Sequence, residues 1–159
     1  MSATGTRSPL IEVKSRAIWR RQQPVVADCS VVAAMVFEEA ECPQAAALLA
    51  DGAICAPTLL PYEIASVSGK KRRSGAPAEW LSAALVGYAD LEIELYPVDL
   101  AGCVELAAHY KLSAYDAAYL WLAAELQVQL LTFDRRLAEA ARQHLGGSAK
   151  RRSKVSNCA

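Results

Sequence analysis

Four carboxylates, Asp28, Glu63, Asp116 and Asp134, stand at the ends of short apolar runs or at the openings of helix-like segments. Val25-Val26-Ala27 runs into Asp28, and Ala53-Ile54-Cys55-Ala56 leads through Pro57 towards Glu63. Asp116 lies just inside a helical pattern that opens at Ser113, and Leu130-Leu131-Thr132-Phe133 runs into Asp134. In a parallel α/β fold the C-terminal strand ends share one edge of the sheet, and ligands bind there. Four acids on that edge repel one another unless a cation sits among them. An oxygen-only donor set suits a hard ion, Mg²⁺ or Mn²⁺. The two histidines, His109 and His144, are too few and too far apart to suggest zinc. No phosphate-binding glycine loop, dinucleotide fingerprint or nucleophile elbow occurs.

Each acid also has an ordinary structural explanation. Asp28 and Asp134 are natural N-caps, and Asp116 falls in a first helical turn, where a negative charge suits the helix dipole. Glu63 has the easiest exit to solvent. Against this, Asp28, Asp116 and Asp134 sit in apolar surroundings, and burying one such charge unpaired costs several kcal/mol. Glu38, Glu39 and Glu41 read as a solvated helix end, and Glu92, Glu94 and Glu105 as polar-face residues.

The elements that must position the four acids alternate. Strands are expected at Val25 to Asp28, Ala53 to Ala56, Ile93 to Tyr96 and Gln129 to Phe133. Helices are expected from Ser30 to about Glu39, Pro43 to Ala50, and from Leu60 past Glu63, Ile64 and Val67. The run Gly69 to Gly75, with Lys70, Lys71, Arg72 and Arg73, reads as a polar connection or a frayed helix end. Pro77 opens a helix carrying Trp80, Leu81, Leu85 and Tyr88 at spacings of three and four. Asp99 and Ser113 N-cap the next two helices, the second apolar almost all round and therefore buried. A last helix runs from Arg135 to His144 and stops at Gly146-Gly147. This order predicts a single α/β domain with a parallel sheet of about four to five strands flanked by helices on both faces.

A chain of 159 residues with 53% apolar and 21% charged residues is a one-domain, globular composition. No apolar stretch is long enough to span a bilayer, and Met1 to Gln23 carries no secretory h-region. Five widely spaced cysteines (Cys29, Cys42, Cys55, Cys103, Cys158) with no CxxC pair point to a reduced, cytoplasmic protein without structural zinc. The net charge of zero hides an asymmetry. Residues 25–146 hold 8 Lys/Arg against 16 Asp/Glu, while both ends are basic. An acidic body does not bind nucleic acid by bulk electrostatics, but metal ions can invert the sign locally. Residues 1–24 are read as an N-terminal extension in which Leu10, Ile11, Val13, Ile18 and Trp19 form a docking element. Residues 147–159 are read as a basic, disordered tail.

The order of motifs resembles a PIN domain, and within that family a VapC-type toxin ribonuclease. The resemblance rests on Val25-Val26-Ala27-Asp28-Cys29-Ser30-Val31, Ala56-Pro57-Thr58-Leu59-Leu60-Pro61-Tyr62-Glu63-Ile64-Ala65, Leu112-Ser113-Ala114-Tyr115-Asp116-Ala117-Ala118-Tyr119-Leu120 and Leu131-Thr132-Phe133-Asp134-Arg135-Arg136-Leu137. It covers about residues 25–145, and the last two motifs are the most specific. It implies that Asp28, Glu63, Asp116 and Asp134 gather around Mg²⁺ or Mn²⁺, with Asp28 and Asp116 central. Ser30 and Thr132 match hydroxyl positions that hold the carboxylates or the attacking water. It further implies metal-assisted hydrolysis of RNA phosphodiesters, a cognate antitoxin partner and a homodimer.

Lys70, Lys71, Arg72 and Arg73, and Arg135 and Arg136, are the basic groups placed to contact RNA phosphates; solvation, or contact with the acidic body, is the alternative. A catalytically silent PIN-like RNA- or protein-binding module is the competing function. A phosphoryl-accepting receiver domain fits poorly, because Asp28 is followed by Cys29 and Asp134 by Arg135.

Overall fold

Val25, Val26 and Ala27 complete a first strand, β1 (Gln23–Ala27), whose last two residues are wholly buried. Three more strands join it: β2 (Gly52–Pro57), β3 (Glu94–Tyr96) and β4 (Gln129–Leu131). All pair in parallel, in the order β3-β2-β1-β4, with Val26 opposite both Cys55 and Leu130. Parallel neighbours need crossovers, and helices supply them. Between β1 and β2 lie α1 (Cys29–Val36) and α2 (Cys42–Leu49). Between β2 and β3 lie α3 (Leu60–Arg73) and α4 (Ala78–Ala89). Between β3 and β4 lie α5 (Leu100–Tyr110) and α6 (Ala114–Leu126), and α7 (Arg135–Ser153) follows β4. The chain is thus α/β with a four-stranded parallel sheet and seven helices among the described residues. The computed structural model describes residues 23–50 and 52–153, with side chains to residue 146. The expected docking element at Leu10 to Trp19 and the end of the basic tail lie outside the described residues.

From β1 the sheet grows one way to β2 and β3, then β4 adds on β1's other side. The strand order therefore reverses between β1 and β4, and a crevice opens beyond their carboxyl ends. Helix α1 contacts α2, α3 and α4, and α6 contacts α5 and α7. The α6 helix packs on β1, β2 and β4. Apolar almost all round, it buries Ala117 to Ala123 and Leu126.

Of the two readings of the Lys70 to Arg73 run, the structure takes the helix end: the run closes α3, and Gly75 at φ 96° follows it. Four cations in a last turn complement the negative end of the helix dipole, so the run propagates the helix instead of breaking it. The α7 helix does not stop at Gly146-Gly147 but continues to Ser153. A glycine costs a helix interior only about 1 kcal/mol relative to alanine, and Ala149 and the cations that follow favour continuation.

Helices α5 and α6 approach closely at Gly102. A Cβ there would lie 2.5 Å from Trp121 Nε1 and 2.7 Å from its Cδ1. Trp121 is 9% exposed and has little room to retreat. Gly102→Ala is therefore expected to destabilise the fold by about 1–3 kcal/mol, read by urea denaturation. An unchanged midpoint would mean that the indole swings freely.

Candidate active site

Asp28 is the first residue beyond β1 and the N-cap of α1, and its side chain accepts from Val31 N at 3.2 Å. Two hydroxyls complete its shell. Ser30 Oγ donates to Oδ1 at 2.6 Å, and Thr132 Oγ1 donates to Oδ2 at 2.6 Å. Each hydroxyl also accepts a backbone N–H from the turn after β4, Phe133 N to Ser30 Oγ and Asp134 N to Thr132 Oγ1, both at 2.9 Å. Only a hydroxyl both donates and accepts at one atom, which is what these two positions require. Asp28 N donates to Leu131 O at 3.0 Å, so the two strand ends at the switch point are tied through main chain and side chain alike. Asp28 is 5% exposed. Burial pushes its carboxyl above the ordinary value, and the hydroxyl and amide donors only partly offset that. Such a group calls for a proton or a cation.

Glu63 occupies the first turn of α3, where Pro61 helps to open the helix. It does not swing out to solvent. Tyr119, 1% exposed on α6, donates its hydroxyl to Glu63 Oε2 at 2.5 Å. Burial raises the Glu63 carboxyl above its usual range, and repulsion from Asp28 and Asp116 raises it further. The Tyr119 hydroxyl is held far above its own range, by burial first and then by Glu63, so it remains a donor. Asp116 sits one turn before Tyr119 and is paired reciprocally with Ser113. Ser113 Oγ donates to Asp116 Oδ2 at 2.7 Å and accepts from Asp116 N at 3.0 Å. Asp134 caps α7, accepting from Leu137 N at 2.8 Å.

The surroundings are less uniform than the sequence suggests. Asp28 is buried, Asp116 half-buried and Asp134 exposed. Apolar sequence neighbours of a cap point into the core while the cap itself faces out, which is why they mislead for Asp134. The structure places Glu63 within electrostatic reach of both Asp28 and Asp116, and Asp134 adjoins Asp28 through Thr132. Among the described residues no three acid, His or Cys side chains are gathered closely enough to hold an ion as they stand. Each carboxylate is instead satisfied by a protein donor. The donor chemistry nevertheless fits a hard cation: it is all oxygen, and two of its acids are raised by burial. Cys29, next in the chain, offers no soft alternative. Burial, with Glu63 and Asp28 nearby, pushes its thiol up to about 12.

The basic residues divide. Lys71 pairs with Glu39 at 2.7 Å and sits 5.0 Å from the Phe37 ring centre. Arg72 donates to Ala76 O at 3.0 Å. These two fasten the end of α3 to its neighbours, while Lys70 and Arg73 are exposed. Arg136 donates to the Lys111 carbonyl, and Arg135 is exposed. Tyr119 is the site residue that sequence reasoning missed. Its signal was the spacing from Asp116, three residues along a helix and hence on the same face.

The sequence model of the PIN domain matches residues 25–143. The chain belongs to the PIN-domain family. The crystal structure of PAE2754 from Pyrobaculum aerophilum superposes on this PIN domain with a TM-score of 0.60 at 18% identity. The superposition covers 86% of this chain and 97% of that one, a likeness of fold. No curated protein sequence matches the chain. PIN domains are generally nucleases and commonly use divalent metal ions, and this chain has that nuclease-type fold. No helix of its described residues is long and apolar enough to cross a membrane.

Proposed function

We propose that this PIN domain is a metal-dependent endoribonuclease of the VapC type, the toxin of a toxin–antitoxin pair. The observation that carries the reading is Asp28: a carboxylate buried at the switch point, raised by that burial, with a second acid, Glu63, close enough to feel its charge. Asp28, Glu63, Asp116 and Asp134 would hold Mg²⁺ or Mn²⁺. A bound divalent cation lowers the pKa of water towards neutrality and stabilises charge on phosphate oxygens. The chain's own residues do the positioning. Ser30 and Thr132 fix both oxygens of Asp28, Tyr119 aims Glu63, and Ser113 holds Asp116. Arg135, Lys70 and Arg73 are exposed cations available to draw in the polyanion.

Antitoxin binding and homodimerisation belong to the same proposal. The surface that suits them is a shallow apolar groove of about 300 Å³ lined by Met35, Val36, Trp80 and Leu91. Leu85 and Val86 are exposed on the same α4 helix, while Leu81 is buried in the core. The second reading, a silent binding module, draws on the fact that the described acids are not already gathered into a coordination shell.

Incubating the purified chain with end-labelled single-stranded RNA, in Mg²⁺ and in EDTA, separates the two. Endonucleolytic products confined to the Mg²⁺ arm support the nuclease, and intact RNA in both arms supports the silent module. On expression, growth arrest that Asp116→Ala leaves unaltered would remove the toxin reading.

A further inference from the structure

A second concavity lies outside the carboxylate cluster. It occupies about 920 Å³ between the C-terminal end of α5 and the first three turns of α7, and Asp134 forms part of its wall. Its charged lining is Lys111, Arg135, Arg136 and Arg142 against Asp134 and Glu139. Residues 25–146 contain 8 Lys/Arg in all, so half the cations of an acidic body converge on this groove. The other four are the α3 run, two of which are already committed to protein contacts.

The groove is also built. Lys111 ends α5 in the left-handed conformation, φ 54°, and its carbonyl accepts from Arg136, tying the end of α5 to the start of α7. Tyr110 forms the wall. Its hydroxyl bonds His144 Nδ1 at 3.1 Å, and the His109 ring packs edge-on 4.5 Å from its centre. Phe133, half-buried, lines the end next to Asp134. Lys111 and Arg135 are exposed. Among the described residues Arg142 has an exposed pair with Glu139, a pairing weak enough to exchange for another anion.

We infer that the α5–α7 groove is a binding subsite for single-stranded RNA, taking up the phosphates of the strand that leads away from the acids. The inference rests on the ribonuclease reading. Basic side chains tracking a backbone beside aromatic rings are the general physics of single-strand binding. The acid cluster repels phosphates, so affinity must come from outside it, and this groove adjoins it at Asp134. Lys111 and Arg142 carry the subsite, whereas Arg136 acts through its hold on the Lys111 carbonyl.

The test is anisotropy binding of a labelled single-stranded oligoribonucleotide to the full chain in EDTA across a salt series. Lys111→Asn with Arg142→Gln is the test variant, since Asn tolerates the left-handed conformation and residue 142 is exposed. The double variant is expected to bind about tenfold more weakly, with the slope of log K against log salt shallower by about 1.4, or 0.7 for each lost phosphate contact. Arg142→Gln alone, for which folding is not in question, should give about half that change. Unchanged affinity and slope in both variants overturn the subsite. So does polyglutamate that loses its binding in these variants while the RNA's affinity and salt slope stay unchanged, because the groove is then a dock for an acidic protein. Cleavage in Mg²⁺ is scored separately. Intact wild-type cleavage with an unchanged salt slope removes the groove alone. Absent cleavage with the expected slope change removes the nuclease reading and keeps the groove as an RNA site.

Discussion

Asp28→Asn is expected to reduce Mg²⁺-dependent RNA cleavage by at least about 10²–10³-fold, the scale set by loss of one preorganised electrostatic group, while leaving the metal-free protein as stable as before or more so. The two effects point in opposite directions for one reason. Asp28 is 5% exposed, and burial raises its carboxyl above 3.8. The folded state therefore binds a proton more readily than the unfolded state, and stability falls as pH rises from about that ordinary value through the folded value. Glu63 is shifted in the same sense and adds to the effect. In EDTA, wild-type stability should rise as pH is lowered through this window, and the rise should shrink in Asp28→Asn, which carries no charge at that position. Saturating Mg²⁺ should stabilise the wild type above the window, by about 2.7 kcal/mol at one hundred times the dissociation constant, and do little for the variant. Thermal melts against pH, with and without Mg²⁺, read all of this. Retained cleavage, or an identical acid response in both proteins, would remove Asp28 from the centre of the site.

Tyr119→Phe ranks second. The ring is 1% exposed and its volume is nearly conserved, so the core should survive. What goes is the 2.5 Å hydrogen bond to Glu63. Groups that orient a metal-binding side chain are commonly worth 10–100-fold when removed, and that loss is expected in cleavage at limiting Mg²⁺. The Mg²⁺ concentration at half-maximal rate should rise, and part of the rate should return at high Mg²⁺. A tyrosine present only as core filler would leave that midpoint unmoved. The Glu63 carboxyl should also rise further, because the lost hydroxyl was lowering it.

Local features were legible in the sequence. Asp28, Asp99 and Ser113 are caps whose partners lie three residues on, at Val31, Gly102 and Asp116. Short apolar runs placed the four strands to within a few residues. Tertiary features were not legible. Nothing near Glu63 announces that its partner lies 56 residues later on another helix. The charge run from Lys70 to Arg73 announces exposure but not the docking of Lys71 onto Glu39 and Phe37. The α5–α7 groove combines residues 109–111 with 133–143, two segments each bland alone. Asp134 was misjudged because apolar neighbours in sequence describe the strand before it, not the direction its own carboxylate faces.

The hydroxyl contacts around Asp28 also set a schedule for synthesis. Thr132 meets Asp28 across 104 residues and Phe133 meets Ser30 across 103. Contacts so distant form last, after intervening loops have closed, and a growing chain offers its N-terminal portion first. When the ribosome has made only Asp28, Glu63 and Asp116, the turn that fixes the first of these acids does not yet exist. If the chain is the proposed nuclease, its nascent form is expected to stay inactive until nearly all of the domain has been translated, and to gain activity in one step as the fourth strand docks.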